Sequence, residues 1–399
     1  MFLNSVILCV VVLTGVVLLL PRLARSSQWQ SMATPLASII GSGFLVLGPI
    51  LNASYGKYAP LVMMALCLGA YLFGSAIRFN IAIIHRDANH RSTLEQHLDV
   101  VASWSLAFAY IISVAYYLNL FGAFGVSLTT VDDHLHANLL TSAVFLVILF
   151  VGWLYGFKAL ERMEQVSVSI KLAIIAGLLV GLGFYFFQKA TVNSLVFNPP
   201  EVTGWASITL AFGLIVTVQG FETSRYLSNA YDAQTRIRSM RFAQLLSSAI
   251  YLVYIGLLAY VFQRNELLLD ETAIIGMMAV VAPILPVLLV AAALSAQFSA
   301  AVADTSGSGG LVSELTRHRL KTKHAYALLV AVGLLITWSA NVFEIISYAS
   351  RAFALYYGLQ SAIAAIAALR NRQYRLHVPL FVCLTLLSLL IVIFGTPVE

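Results

Sequence analysis

Residues 39–49 read IIGSGFLVLGP, which places three glycines and a proline in the middle of a long apolar run. In a helix interior, glycine costs about 1 kcal/mol and proline about 3 kcal/mol relative to alanine. A segment that must be helical to cross a bilayer is therefore predicted to contain a break here. The backbone groups freed by such a break are tolerated only where they are buried in protein or line a polar cavity.

The apolar run around this break is one of many in the chain. Of the 399 residues, 60% are hydrophobic and only 10% are charged, and the mean hydropathy is +0.89. Soluble globular domains do not have this composition. A bilayer core about 30 Å thick needs about 20 apolar residues per helix, and such runs recur here with short polar connectors. We therefore predict a single all-α integral membrane domain.

Twelve membrane spans are predicted from the apolar runs and the polar breaks between them. They cover residues 2–20, 33–54, 59–84, 98–128, 138–156, 166–187, 206–227, 240–262, 274–303, 325–340, 343–369 and 376–395. Most basic side chains lie in alternate loops: Arg22 and Arg25; Arg86 and Arg91; Lys158 and Arg162; Arg236, Arg238 and Arg241; Arg317, Arg319, Lys321 and Lys323; Arg370, Arg372 and Arg375. The positive-inside rule makes these loops cytoplasmic, so both termini are predicted to lie outside a plasma or inner membrane.

The first span and the net charge of +6 each have a second interpretation. Residues 2–20 have the length of a signal peptide, but they lack a charged start and their positive charges follow the apolar run, which favours a retained helix. The basic residues lie in short loops, so they do not form a nucleic-acid-binding face. Cys9, Cys67 and Cys383 lie within spans and have no CxxC spacing, which indicates neither disulfides nor a zinc site.

A second interrupted segment lies at residues 216–225, which read VTVQGFETSR. It brings an amide, a glycine and a carboxylate into the seventh span, five spans after the first break, so the two segments run in opposite directions. Broken helices at corresponding places of two inverted halves indicate a binding site at the membrane midplane. The alternative is that the glycines only allow close packing of helices, which is common in membranes.

The two breaks offer complementary backbone groups to a ligand. An unwound Gly41-Ser42-Gly43 would direct free N–H groups and a helix N-terminus at an anion such as a carboxylate. Carbonyl groups freed near Gln219 would accept hydrogen bonds from an ammonium group. Together the breaks suit a zwitterion.

These motifs resemble those of the amino acid, polyamine and organocation (APC) transporter superfamily. Its first core helix carries a Gly-Ser-Gly motif like Gly41-Ser42-Gly43, and its sixth carries a Gly-Phe-Glu motif like Gly220-Phe221-Glu222. Residues 156–162, which lead to 170–172, are similar to the family's connection between the fourth and fifth helices, and residues 342–347 to the start of its tenth helix. The resemblance covers roughly residues 35–372.

The resemblance implies an all-α, LeuT-like fold with a five-plus-five inverted repeat that works by alternating access. Residues 33–187 and 204–372 would form the two repeats, and residues 1–25 and 376–395 one extra helix at each end. The implied function is secondary transport of an amino acid or related amine, as a symporter or antiporter coupled to protons or to exchange. It implies no enzyme activity and no cofactor or metal, and as partners the small-molecule substrate, protons and membrane lipid. The substrate-binding residues carried over are Gly41, Ser42, Gly43, Gln219, Gly220 and Phe221.

Two departures from the APC pattern leave alternatives open. The family usually has Ile-Phe after Gly-Ser-Gly, where this chain has Phe44-Leu45, and many members add two helices after the core. A leading extra helix and the run Ala303-Asp304-Thr305 are instead reminiscent of sodium/solute symporters. A sodium site there would need hydroxyl ligands before this run, yet Ala301 and Val302 precede it, which argues against sodium.

Three ionisable residues in the spans are candidates for coupling or gating. Lys171 lies where the resembling family sometimes has a lysine in place of the sodium ion, and the alternative is a side chain that snorkels to the interface. Glu222 lies deep in a broken span and is a candidate proton carrier or a permanently paired structural group. Arg351 lies deep in the eleventh span and needs a partner, for which Glu344, Glu222 and an anionic substrate group are the candidates.

Other classes of function have weaker support in the sequence. A membrane enzyme would show an intramembrane HExxH, paired aspartates or a Ser/His arrangement, and none is found. The loop cluster Asp132, Asp133, His134 and His136 lacks metal-ligand spacing, so we expect a solvated loop. The run 305–310 reads TSGSGG and is interpreted as a flexible cytoplasmic exit from the ninth span, not as a phosphate loop. A non-transporting sensor on the same scaffold stays open.

The pocket walls are expected to come from the fourth, seventh, ninth and eleventh spans. Tyr116, Tyr117 and Asn119 of the fourth span are the candidate lining residues.

Overall fold

Helices dominate the structure because a chain this apolar must satisfy its backbone hydrogen bonds internally. The computed structural model describes residues 2–41, 43–87, 91–154, 158–226, 231–264 and 269–398, and the regular structure in these ranges is helical. The helices are α1 (Phe2–Leu19), α2 (Pro21–Ala24), α3 (Ser27–Gly41), α4 (Phe44–Tyr55), α5 (Ala59–Asp87), α6 (Thr93–Val126), α7 (His134–Leu154), α8 (Lys158–Thr191), α9 (Gly204–Gly213), α10 (Thr223–Tyr226), α11 (Ala233–Leu258), α12 (Ala273–Val281), α13 (Leu285–Leu315), α14 (Thr322–Ser339), α15 (Val342–Arg370) and α16 (Val378–Phe394).

Both predicted breaks are present. The second span divides into α3 and α4 on either side of Gly43, which has a φ of 156°. The seventh span divides into α9, a 3-10 turn at Ile215–Val218, an extended Gln219 and the short α10, with Gly220 at a φ of 117°. L-residues with a side chain rarely adopt such positive φ values, so glycine is the residue that allows both breaks.

Ten helical segments of the described chain are long and apolar enough to cross a membrane. One of these, residues 27–86, contains the α3–α4 pair as well as α5. The α9–α10 segment is divided into pieces too short to be counted. Counting the α3–α4 pair apart from α5, and adding the α9–α10 segment, gives twelve spans, which correspond to the twelve predicted spans.

The predicted ninth span is wrong in its bounds. Residues 274–303 do not form one helix, because α12 ends at Val281 and α13 begins at Leu285, with Pro283 inside the interruption and Pro286 in the first turn of α13. Proline removes a backbone donor and is tolerated in the first turn of a helix. The membrane-spanning helix of this region is α13.

The prediction for residues 305–310 is also wrong, since they do not form a flexible exit but lie inside α13. Its small residues allow neighbouring helices to approach closely. A Cβ on Gly309 would lie 2.3 Å from the Tyr326 ring of α14, and one on Gly307 would lie 3.0 Å from the Tyr110 ring of α6. Close packing of small residues therefore outweighs the low helix propensity of the run.

Helix α6 is the centre of the bundle and packs between α13 and α15. Glycines mediate several of the contacts around it: Gly122 lies against Thr141 of α7, and Gly358 of α15 against Ser388 of α16. The leading helix α1 packs on α8 through Ile7, its one fully buried residue, which contacts Gly177 and Gly181. Cys67 is buried and Cys9 and Cys383 are exposed on the bundle surface.

Candidate functional site

The two broken helices contact each other at their glycines. A Cβ on Gly220 would lie 2.5 Å from Ser38 Oγ and 2.6 Å from the Ile39 nitrogen, both in α3. A Cβ on Gly43 would lie 2.7 Å from Tyr116 Oη of α6 and 2.9 Å from Thr217 Cγ2 in the other break. Each break therefore occupies the space that a side chain on the other would need, and the predicted pairing of the two motifs is a direct contact.

Side chains of two neighbouring helices satisfy backbone groups that the breaks release. The Tyr251 hydroxyl of α11 lies 3.1 Å from the Ile39 carbonyl oxygen and 2.6 Å from the Thr217 carbonyl oxygen, one in each break. Ser350 Oγ of α15 donates to the Gly213 carbonyl at 2.6 Å and accepts from the Val216 N–H at 3.1 Å. The sequence reasoning missed both residues, because no motif marks a tyrosine or a serine within an apolar helix.

Gln219 links the second break to α6. Its side chain is fully buried, and its Nε2 donates to Tyr117 Oη at 2.7 Å, while its Oε1 has no hydrogen-bond partner. Tyr116 Oη, beside Gly43, is also buried without a partner. Since a buried polar atom without a partner costs free energy, these two atoms are available to a bound polar molecule.

Of the three candidate lining residues, the structure brings Tyr116 and Tyr117 to the breaks but not Asn119. The Asn119 amide donates to the Ala115 carbonyl and to Thr337 Oγ1 of α14, both at 2.8 Å. It therefore ties α6 to α14. On α13, the fully helical neighbour of α6, Gln297 contributes another buried side-chain oxygen without a partner.

Glu222 lies at the end of the second break, just before α10. It is fully buried, and its Oε2 accepts hydrogen bonds from the Gly220 N–H and from Tyr357 Oη of α15, each at 3.0 Å. Its Oε1 has no partner. The Phe221 ring stacks on the Tyr357 ring, with centroids 5.0 Å apart and an interplanar angle of 20°. The Phe221 side chain thus anchors the break to α15.

Lys171 belongs to α8, and its ammonium group lies at the C-terminal end of α3. The side chain is buried there, which excludes the snorkelling alternative. The side chain is only 1% exposed, and its Nζ donates to the Ala37 carbonyl at 2.6 Å. A Cβ on Gly41 would lie 3.6 Å from this Nζ, 3.6 Å from the Ala296 carbonyl oxygen and 3.4 Å from Ala300 Cβ. The ammonium group therefore joins α8 to α3 next to α13, where the C-terminal carbonyls of α3 favour a positive charge.

Arg351 has neither of the protein partners proposed for it. Its Nε donates to the Gly395 carbonyl at 2.9 Å and its Nη2 donates to the same oxygen. Glu344 instead forms a capping box with Asn341 at the start of α15, and Glu222 bonds to Gly220 and Tyr357. Sequence distance on one helical face suggested an acidic partner, but the chain after α16 provides a carbonyl at this depth.

Asp304 is a buried carboxylate that the sequence singled out only for its place in the run 303–305. It is 1% exposed and accepts a hydrogen bond from Ser113 Oγ of α6. Ser42 lies outside the described residues, so its predicted role has no structural counterpart here.

The cluster of Asp132, Asp133, His134 and His136 lies only partly in the expected loop, because the two histidines belong to the first turn of α7. The cluster makes hydrogen bonds within itself. His136 Nδ1 lies 2.7 Å from Asp133 Oδ2, and the His136 backbone N–H donates to Asp133 Oδ1 at 2.9 Å. These hydrogen bonds hold the pKa of the Asp133 carboxyl group below its usual value. Within the described ranges, no group of three or more His, Cys, Asp or Glu side chains is placed to hold a metal ion.

The two ends of the bundle differ. At the end with the basic loops, called the basic end below, Arg225 of α10 pairs with Asp99 of α6 and donates to Gln360 Oε1 of α15. Asp99 also pairs with Arg91 at 3.0 Å, and Arg236 of α11 donates to the Arg225 carbonyl at 2.7 Å. This network, called the Arg225 network, ties α10 to three neighbouring helices.

The opposite end contains a cavity of about 600 Å³. Its walls include Asn52 and Ser54 of α4, Thr209 of α9 and the ion pair between Arg264 and Glu201, whose atoms are 2.6 Å apart. The tail after α16 also lines this cavity, where the Thr396 N–H donates to the Thr209 carbonyl at 3.0 Å. This cavity therefore lies between α4, α9 and the tail after α16, at the end away from the basic loops.

Comparisons with known proteins give a consistent result. A family model described as "APC superfamily transporter" matches residues 21–395. A protein of Aquifex aeolicus (strain VF5), described only as uncharacterized, is 40% identical over 385 residues, which make up 95% of this chain and 93% of the relative.

Among solved structures, the chain is similar to Mhp1, a nucleobase-cation-symport-1 family transporter, in a closed conformation with bromovinylhydantoin bound. The TM-score is 0.58 at 15% sequence identity, and the match covers 92% of this chain and 89% of Mhp1. At this identity the likeness shows the fold alone. Together with the helical architecture, it confirms the predicted LeuT-like fold class.

Proposed function

We propose that this chain, which belongs to the APC superfamily of transporters, is a secondary transporter that carries an amino acid or related amine by alternating access. The observation that supports this best is the contact between the two broken helices, Gly43 against Thr217 and Gly220 against Ser38, deep within a membrane bundle. A protein that only packed its helices closely would have no reason to unwind both of them at one place.

The substrate's carboxylate would bind at the start of α4. Gly43 precedes this helix and provides no side-chain cap, so the first N–H groups of α4 are available to an anion. The Gln219 Oε1 atom, buried without a partner, is an acceptor for the substrate's ammonium group. This division of roles follows the zwitterion hypothesis.

A planar heterocyclic amide, such as a hydantoin or nucleobase, is a second candidate substrate. Gln219 and Gln297 each have a buried amide oxygen without a partner, and the aromatic rings of Tyr116 and Tyr117 lie beside the breaks. Such rings and amides can stack on and hydrogen-bond a flat polar molecule.

Coupling would use protons or exchange and not sodium. The Lys171 ammonium lies between α3, α8 and α13 and donates to a carbonyl oxygen there. The ammonium group would supply at this place the positive charge that a sodium ion would otherwise provide. Glu222, buried with one oxygen unpartnered, is the candidate proton carrier.

The two ends would act as alternate entrances. By the positive-inside rule, the basic end faces the cytoplasm and the 600 Å³ cavity faces the outside, with both termini on the outer face. The Arg225 network would then close the cytoplasmic path while the outer cavity admits substrate.

Uptake into proteoliposomes tests this proposal. A panel of radiolabelled amino acids, amines, hydantoins and nucleobases is offered with a proton gradient, with a sodium gradient and with neither. We expect proton-driven or exchange-driven uptake of at least one amino acid or amine. Sodium-driven uptake would favour a sodium/solute symporter, and no flux for any compound would favour a sensor.

Gly43→Ala provides the first test of the site. The new Cβ would lie 2.7 Å from Tyr116 Oη, and the backbone has a positive φ, so we expect uptake to fall by at least about tenfold. Gly256→Ala on α11 is the matched control, because no atom lies within 4 Å of the Cβ that it would add. Equal uptake by the two variants would contradict the site.

A further inference from the structure

One hydroxyl group joins the two broken helices. Tyr251 Oη lies 2.6 Å from the Thr217 carbonyl oxygen and 3.1 Å from the Ile39 carbonyl oxygen. Ile39 belongs to the last turn of α3, and Thr217 to the 3-10 turn after α9. The hydroxyl is therefore shared between backbone atoms of elements that lie 178 residues apart, the difference between positions 217 and 39.

The surroundings of this hydroxyl make the contact strong. Tyr251 is fully buried, and its ring packs edge-on against the Phe44 ring at the start of α4, with centroids 5.3 Å apart. Hydrogen bonds gain electrostatic strength where water is excluded. One residue of α11 therefore contacts both halves of the first break and the backbone of the second.

A small void lies beside the Tyr251 hydroxyl. It has a volume of about 10 Å³ and is lined by Ile39, Val218 and Tyr251 together with the polar side chains of Gln244 and Ser247. This is close to the smallest space that a single water molecule needs, and the lining offers it hydrogen-bond partners.

We infer that Tyr251 is a positioning residue that couples the two broken helices, so that both halves of the substrate site form together. The inference rests on the proposed function. When the hydroxyl bridges the two carbonyl groups, α4 and the Gln219 segment hold the spacing that a zwitterion needs. When it does not, the site exists only in a fraction of molecules, and the apparent dissociation constant rises in inverse proportion to that fraction.

The test compares Tyr251→Phe with Tyr254→Phe, one turn further along α11. Both tyrosines are fully buried, and both variants remove one hydroxyl, but the Tyr254 hydroxyl donates at 3.4 Å to the Leu45 carbonyl of α4, so its hydrogen bond reaches the first break and not the second. We expect Tyr251→Phe to raise the KM for the transported compound about tenfold, the effect of about 1.4 kcal/mol, and to change kcat little. A loss of kcat alone, or equal KM values in the two variants, would overturn the inference.

Hydrogen exchange decides the question without any substrate. In Tyr251→Phe we expect faster amide exchange in both residues 39–44 and residues 214–220, whereas Tyr254→Phe should leave the second segment unchanged. Faster exchange in only one segment, or in neither, would contradict coupling. If no compound of the panel is transported by the unmodified protein, the proposed function fails, while the exchange data still confirm or refute the role of Tyr251.

Discussion

Lys171 shows at the scale of one residue how charge is accommodated in this membrane bundle. Its ammonium group donates to the Ala37 carbonyl and lies at the C-terminal end of α3. A helix C-terminus carries about half a negative charge, so the lysine and the break stabilise each other. Removing the charge should therefore alter the broken helix and not only the surface of α8.

Lys171→Met keeps the length of the side chain and removes its charge. We expect uptake to fall by at least about tenfold, because the α3 carbonyl loses a charged donor in a buried site. The measurement is the initial uptake rate in proteoliposomes at equal protein incorporation. Lys189→Met, near the other end of α8, is the control, since the Lys189 ammonium lies 5.5 Å from the Tyr185 ring centroid and contacts no break. Similar rates in the two variants would remove Lys171 from the mechanism.

At the scale of elements, the short helix α10 of the seventh span is held in place by ion pairs and hydrogen bonds of its Arg225. It has only four residues, too few for a stable isolated helix, and the Arg225 network ties it to α6, α11 and α15. The Arg225 and Asp99 side chains are only 10% and 20% exposed, so solvent screens their attraction incompletely. The position of α10 thus depends on this network more than on its own helical bonds.

Arg225→Gln should release α10 and open the basic end. We expect a cysteine at Ser224, fully buried in the unmodified protein, to react about fivefold faster with a maleimide, the effect of about 1 kcal/mol. The background carries Cys9→Ser, Cys67→Ala and Cys383→Ser. Arg264→Gln, which breaks the ion pair at the opposite end, serves as the control and should leave the rate unchanged. A labelling rate that responds to Arg264→Gln but not to Arg225→Gln would refute the role of the Arg225 network in closing the basic end.

At the scale of the whole molecule, the distribution of charge and space gives the bundle a direction. Basic loops and the Arg225 network lie at one end, and the cavity of about 600 Å³ lies at the other. Alternating access requires these two ends to open in turn around the contact between the breaks. The orientation in the membrane therefore decides which of the two ends faces the cytoplasm.

Single cysteines in the two sets of loops test this orientation. In intact cells, we expect a membrane-impermeant maleimide to label Thr129→Cys, in the turn after α6, and to label Lys321→Cys, before α14, only after permeabilisation. The reason is that cytoplasmic loops retain lysine and arginine. The reverse pattern would place both termini in the cytoplasm and invert the assignment of the two entrances.

The amino-acid sequence by itself determined the membrane domain, most of its helices and the two breaks, because apolar length and the backbone preferences of glycine and proline are local properties. The family was indicated by the resemblance of the Gly-Ser-Gly and Gly-Phe-Glu motifs. Only the tertiary structure decided the partners: Tyr251 and Ser350 on the freed backbone, Lys171 on Ala37, Arg351 on Gly395, and Asn119 on Thr337. These contacts depend on the rotation and depth of each helix against its neighbours, which a period of 3.6 residues specifies only coarsely. The same limit explains the run 305–310, where contacts with Tyr110 and Tyr326 outweigh the local preference for a loop.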